Sequence, residues 1–464
     1  MAAPANGANP INVINDSPMG TRQWIVVVLM VLLNALDGFD VLSSAFAAPG
    51  ITAEWNIERA ALGIVLSAEL VGMGFGSVLL GGAADKFGRK NTMLVCLVFM
   101  AGGMWMAGHA TGVTPMVIFR FITGIGIGGM LAATNAVTAE STNTAWRKTA
   151  IAAYVAGYPL GAIIGGVAAS EWLLPQYGWR AIFDFGAIVT AALIPVVWLL
   201  VPETAAYHAA KGNLAGVNRT LAAYGKTPLT GLPVAATGTA KPKVTDILSN
   251  PRLRPVTLLL AFGYMFHTIT FYYILKFAVQ IVSDYPPGYP PPVAATVLTW
   301  ANVGGFLGSL TFGFVMGKLG IRWPTALMLL IGSVAVASFG LGRDSIGAWQ
   351  WATILTGFFT NAAISGYYAA FARGFPAYAR ATGTGFVLGI GRLGAAGSPI
   401  IAGALFSALG NDELFTVSCI MALGSIASLI LFLKLPEREG DELVADPGDG
   451  SHDPVTAPAG ETVR

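Results

Sequence analysis

Charge is what this sequence has least of. Only 11% of its 464 residues are Asp, Glu, Lys or Arg, against roughly 25% in soluble domains. A soluble fold so poor in charge could not cover its surface, which excludes a water-soluble enzyme. Cysteine is nearly missing too. Cys96 and Cys419 stand singly in apolar stretches, where they read as small hydrophobes, not as a disulfide or a metal site. No catalytic triad, phosphate loop or metal cluster appears. A net charge of +2 gives no footing for nucleic acid. The first twenty residues hold no basic side chain and no hydrophobic core, so no signal peptide is expected there. The first span, starting near Trp24, should act as an uncleaved anchor.

What is present is apolar length. The chain is 55% hydrophobic, with mean hydropathy +0.66, and runs such as Trp24–Leu33, Met93–Ala107 and Val417–Leu433 fit a bilayer crossing of about 20 residues. Twelve spans are expected: 24–48, 61–82, 92–110, 115–138, 149–170, 180–201, 255–281, 293–316, 324–341, 348–371, 381–408 and 413–434. They divide the chain into an N-terminal tail (1–23), a six-helix bundle (24–201), a linker (202–254), a second six-helix bundle (255–435) and a tail (436–464). The linker opens as a surface helix (Ala205–Tyr224) and passes into a Pro/Gly/Thr stretch (Lys226–Lys243). The acidic, Gly- and Pro-rich end from Glu437 is expected to be disordered.

Lys and Arg placement sets the orientation. With both termini in the cytoplasm, 20 of the 26 Lys and Arg fall on the inner side, leaving Arg59, Arg180 and Arg343 outside and Arg120, Lys276 and Arg392 within spans. There is also an internal repeat. Gly81–Lys90 follows span two, and Gly313–Arg322 follows span eight at an offset of 232 residues. Both halves close alike, with Val201-Pro202-Glu203 and Leu435-Pro436-Glu437. Two such units suit a parallel-repeat transporter with its substrate site between the halves near the midplane.

Three segments carry the chemistry. Span one holds Asn34, Asp37 and Asp40 on one helix face. Two carboxylates this close in low dielectric resist joint ionisation, so one should hold a proton near neutral pH. Span four opens on Arg120 and continues through Gly124, Gly126, Gly128 and Gly129. Its glycines allow tight packing, and an intramembrane Arg calls for an acidic partner; Glu69, at a similar depth, is one candidate. In span eleven Arg392 lies twelve residues, about 18 Å, beyond Arg380. It wants an anion, either a substrate carboxylate or an acidic side chain.

The Gly81–Lys90 loop, with Gly81, Asp85, Lys86, Gly88 and Arg89, resembles the signature of the major facilitator superfamily. There Asp85, near the start of span three, would pair with basic residues, joined by Glu140 and Arg147, as a conformational latch. The second copy has Gly317 where the Asp stands, so its latch should be weaker. The Asp37-Gly-Phe-Asp40, Gly391-Arg392-Leu-Gly394 and Arg380-Ala-Thr-Gly383 motifs together are similar to the aromatic acid:proton symporter family over nearly all of residues 20–435. That resemblance implies an all-α membrane fold of two six-helix bundles, benzoate-like substrates, and a need for Asp37, Asp40 and Arg120 in transport.

Some features depart from the family. Span seven reads Tyr272-Tyr273-Ile-Leu-Lys276-Phe277 where the family has a Trp-Leu-Pro run. Span five has Ala162 where proton antiporters place proline, which counts against drug efflux. Tyr264, His267, Phe271 and Tyr272 of span seven, with Tyr367, Tyr368 and Phe371 of span ten, either line an aryl pocket or simply pack. Lys276, about 30 Å along its span from Pro255, either snorkels to the headgroups or meets a bulky or dicarboxylic aryl acid at the outer mouth. The expected function is proton-coupled import of an aromatic carboxylate by a monomer embedded in lipid. Its energy comes from the proton gradient with no cofactor. The rival from another class is a membrane receptor for the same acids.

Overall fold

The computed structural model describes residues 9–232, 243–376, 378–410 and 412–436. The expected linker between Lys226 and Lys243 lies largely outside them, as does the tail after Pro436. Among the described residues there are only helices, turns and loops. Twelve helices are long. The first six are α1 (Thr21–Trp55), α2 (Arg59–Phe87), α3 (Arg89–Gly108), α4 (Val113–Ser141), α5 (Thr144–Ala168) and α6 (Arg180–Leu200). The second six are α7 (Leu253–Asp284), α8 (Pro291–Leu319), α9 (Arg322–Phe339), α10 (Ile346–Gly374), α11 (Arg380–Leu409) and α12 (Leu414–Leu433). Eleven are long and apolar enough to cross a membrane. The remaining one, α10, is 29 residues long and is interrupted by Gln350, Asn361 and Arg373.

Several helices outrun their expected spans. The 35 residues of α1 rise about 52 Å at 1.5 Å each, well past the roughly 30 Å hydrocarbon thickness. Large apolar side chains such as Val78, Ile188, Phe314 and Leu393 stand exposed on the outside, as lipid-facing residues do. Twelve crossings bring both described chain ends to one face, called here the terminal face; the opposite one, where α1 meets α2 at Trp55–Arg59, is the distal face.

The two halves repeat their packing. A Cβ on Gly124 or Gly128 of α4 would strike the backbone carbonyl of Glu69 or Met73 of α2. In the second half, a Cβ on Gly304 or Gly308 of α8 would strike the carbonyl of Ile354 or Phe358 of α10. Backbones at this approach gain dispersion that lipid tails cannot offer. The signature loops also correspond: α2 and α8 end at Gly88 (φ 105°) and Gly320 (φ 75°), a left-handed turn that glycine adopts without a Cβ penalty.

Short helices cover the terminal face. Pro10–Asp16, within the expected tail, docks through buried Ile14. The expected surface helix over Ala205–Tyr224 is two helices, Ala205–Ala210 and Leu214–Ala223. Gly212 turns at φ 67°, and Asn213 caps the second helix by accepting from Gly216 N at 2.8 Å, so the chain breaks there.

Candidate functional site

Five ionisable side chains are fully buried in the membrane interior of the first half and its boundary: Asp37, Asp40, Glu69, Arg120 and Lys276. Helical rise places three of them level. Counted from the distal ends of their helices, Glu69, Arg120 and Lys276 all lie about 10–15 Å deep. Glu69 is the hub. Its Oε2 pairs with Arg120 and accepts from Ser44 Oγ at 3.0 Å. Its Oε1 pairs with Lys276 Nζ at 2.5 Å. Arg120 is held further by the Asp40 carbonyl and Met104 Sδ, each 2.8 Å away, and its guanidinium lies 5.3 Å from the centre of the Phe183 ring. The expected Arg120–Glu69 partnership is present.

Asp37 and Asp40 differ from this hub. All four of their carboxylate oxygens are buried without a hydrogen-bond partner among protein groups. An ionised carboxylate in such surroundings is strongly disfavoured, and a protonated one is tolerated. Asp40 faces the α6 backbone at Gly186. Asn34, expected to contact substrate, instead donates to the Tyr154 carbonyl at 2.6 Å and ties α1 to α5.

Lys276 departs from both expectations. It neither snorkels nor sits at an outer mouth. Helix α7 runs on for eight residues beyond it to Asp284, so Lys276 is well inside. It crosses to the other half, where it pairs with Glu69 and donates to the Val41 carbonyl.

The halves meet mainly towards the distal face. Arg59 pairs with Asp284 at 2.9 Å, Thr52 bonds Gln280 at 3.2 Å, and the Ala60 amide donates to Ser407 Oγ at 3.1 Å. Gly63 and Gly403 let α2 and α11 touch, since a Cβ on either would hit the carbonyl of Pro399 or Arg59. The seam reaches mid-membrane at Arg392, which donates to the Met73 carbonyl at 2.6 Å and to Ser77 Oγ. Neither partner is an acidic side chain, which was one of the two partners expected from sequence. Nearer the terminal face, Gly82, Gly385 and Gly389 have no neighbouring atom within 4 Å of an added Cβ. The contact between α2 and α11 therefore ends near Arg392 and does not extend to the terminal face.

Tyr264 packs on Gly391, the neighbour of Arg392, since a Cβ there would strike its ring, and its ring centre lies 6.1 Å from that of Tyr368. Tyr158 and Tyr272 are half-buried and Tyr368 is 50% exposed. Tyr264 and Tyr368 place their hydroxyls 3.4 Å apart, and Phe271 stands edge-on to Tyr272 at 5.3 Å. These rings form an aromatic wall beside a cation. Two expected wall residues belong to the packing of the second half instead. His267 is fully buried with one ring nitrogen at Ser425 and the other at the Thr360 carbonyl, both 2.9 Å. Tyr367 is buried and bonds Ser428 at 2.7 Å.

At the terminal face, Arg89 bridges Asp85 (2.5 Å) and Glu140 (3.3 Å). Asp85 thus meets the side chain of the first residue of α3, and its described bonds include none to the first backbone amides. Glu203, given no site role in the sequence reading, holds those amides: it accepts from Arg89 N at 2.9 Å and Lys90 N at 3.2 Å, where the helix dipole favours an anion. Gly88 leaves room for that carboxylate. Lys86 lies over the Phe87 ring, and Gly81 packs loosely, since an added Cβ would meet only Ala132, at 3.7 Å. Arg147 stays apart, bonding Asn15 and the carbonyls of Ala139 and Thr142.

Two bundles with matching packing, joined across a seam and enclosing buried charges within their spans, define a polytopic membrane protein. The model of the Major Facilitator Superfamily matches residues 29–295 and 287–459, and the chain belongs to that superfamily, whose members are transporters and not enzymes. It is 30% identical to a gallate transporter of Pseudomonas putida, over 91% of this chain and 95% of that one. It is 28% identical to the 4-hydroxybenzoate transporter PcaK of the same organism, over 82% and 86%. The aromatic-acid resemblance read from the motifs therefore extends to whole-chain similarity. The fold is shared with the xylose transporter XylE from E. coli in an inward-open conformation (TM-score 0.67, 15% identity, 91% and 99% covered). A bacterial homolog of the lysosomal transporter Spinster shares it too (TM-score 0.67, 16% identity, 89% and 95% covered).

Proposed function

We propose that this chain imports an aromatic carboxylate together with protons across the inner membrane by alternating access, with both termini in the cytoplasm. The observation that carries this reading is the Asp37/Asp40 pair, buried in α1 without partners. Such carboxylates accept a proton far more readily than they bear a charge. Similarity to transporters of gallate and 4-hydroxybenzoate supports an aryl acid as cargo. Arg392 and the tyrosines beside it supply the matching chemistry: a cation for the carboxylate, rings for the aryl face, and hydroxyls for ring substituents.

A proton arriving from outside neutralises the pair, the aryl acid enters the cavity, and the loaded halves rock so that the cytoplasmic side opens. The energy source is the proton gradient, with no cofactor. The test is uptake of a panel of labelled aryl acids into proteoliposomes under an imposed pH gradient. Accumulation of at least one acid that collapses with the gradient is expected. Binding without net flux for the whole panel would overturn import and favour a receptor.

A further inference from the structure

The hub at Glu69 has an asymmetry. Lys276 belongs to the second half, yet both its acceptors, Glu69 and the Val41 carbonyl, belong to the first. Glu69 keeps Arg120 and Ser44 from its own half. The distal face cannot open without pulling α7 from α1 and α2. On that movement Glu69 retains two partners and Lys276 loses both. A bare ammonium group then faces the cleft through which an external anion enters, about 12 Å below the rim. The charged groups on the elements packed against it are Glu69 on α2, its partner Arg120 on α4, Asp37 and Asp40 further along α1 from its Val41 acceptor and, near the rim, Arg59 and Asp284.

We propose that Lys276 is the first receptor of the incoming carboxylate. In the distal-open state its ammonium group pairs with the carboxylate. As the halves close, Glu69 takes the ammonium back and displaces the acid towards Arg392 and the tyrosines. No bond is made or broken; one ion pair exchanges for another. The site thus selects an anion on entry and lets go of it on closure, because cargo and Glu69 compete for the same cation. This rests on the carboxylate import proposed above.

The test compares transport from the two faces in proteoliposomes of known orientation, with 4-hydroxybenzoate as probe. Lys276→Gln should raise KM measured from the distal face by about tenfold and leave KM from the terminal face within about twofold. Lys276→Arg should restore the distal KM. Glu69→Gln should lower kcat several-fold without raising the distal KM, since nothing then displaces the cargo. An unchanged distal KM in Lys276→Gln, or an equal rise from both faces, would overturn the proposal while import stood. Should Lys276→Gln fail to reach the membrane, Glu69→Gln decides alone, and an undiminished kcat would overturn it. Wild-type protein that moves no aryl acid at all would overturn import and this proposal together.

Discussion

The carboxylate of Glu203, just beyond α6, accepts from the backbone amides of Arg89 and Lys90, the first two residues of α3. A side chain at the end of the first bundle therefore fixes the start of its third helix. The Asp85–Arg89–Glu140 chain adjoins the same turn.

Glu203→Gln should consequently disturb the terminal face more than Asp85→Asn. Asp85 is 65% exposed in its side chain, and pairs so exposed contribute about 1 kcal/mol or less. A charged acceptor at a helix start contributes about 0.3–1 kcal/mol when exposed and up to about 2 kcal/mol when partly buried, as Glu203 is. Cysteine labelling at the terminal face should rise more in Glu203→Gln than in Asp85→Asn, with the lower thermal midpoint also in Glu203→Gln. The reverse order would return the principal role to Asp85.

Asp37→Asn and Asp40→Asn should each abolish accumulation driven by a pH gradient, because an amide cannot cycle a proton. Both variants should fold, since the carboxylates have no protein partner to lose, and aryl-acid binding in detergent should persist. Gradient-driven uptake at wild-type level in both would exclude this pair as the proton site.

Removing the Arg120 charge should be costly in a different way. Arg120→Gln leaves Glu69 with Lys276 and Ser44 only, and breaking a buried pair costs about 3–5 kcal/mol. The variant should melt well below wild type in detergent. Arg120→Lys should recover part of the loss, lacking the geometry that reaches both Glu69 and the Asp40 carbonyl.

Gly403→Leu tests the distal seam. Its side chain would enter the α2 backbone at Arg59, forcing α2 and α11 apart. Labelling of cysteines placed near Arg59 should increase. If distal labelling stays at the wild-type level, the seam closes elsewhere.

Much of this arrangement was legible beforehand because a membrane constrains it. Apolar length marked the crossings, and comparison of depths joined Arg120 to Glu69. Lys276 escaped the same comparison since its depth was counted from Pro255; α7 extends to Asp284, and counting from that end brings it level with Glu69. Glu203 looked like a repeat landmark, and nothing local in Val201-Pro202-Glu203 reveals that it folds back to α3. Asn34, His267 and Tyr367 are polar residues on promising faces, but their bonds go to neighbouring helices. Only tertiary contact distinguishes a satisfied packing residue from a wall residue.

The partnerless state of Asp37 and Asp40 has a spectroscopic consequence. A protonated carboxyl that neither donates nor accepts a hydrogen bond keeps its carbonyl close to a full double bond. Its stretching vibration then lies above those of hydrogen-bonded acids and clear of the amide band. Infrared difference spectra taken across a pH step should show such an isolated carbonyl band appearing on acidification. Single Asp→Asn replacements would assign it to one aspartate or the other, reading the proton's address by light alone.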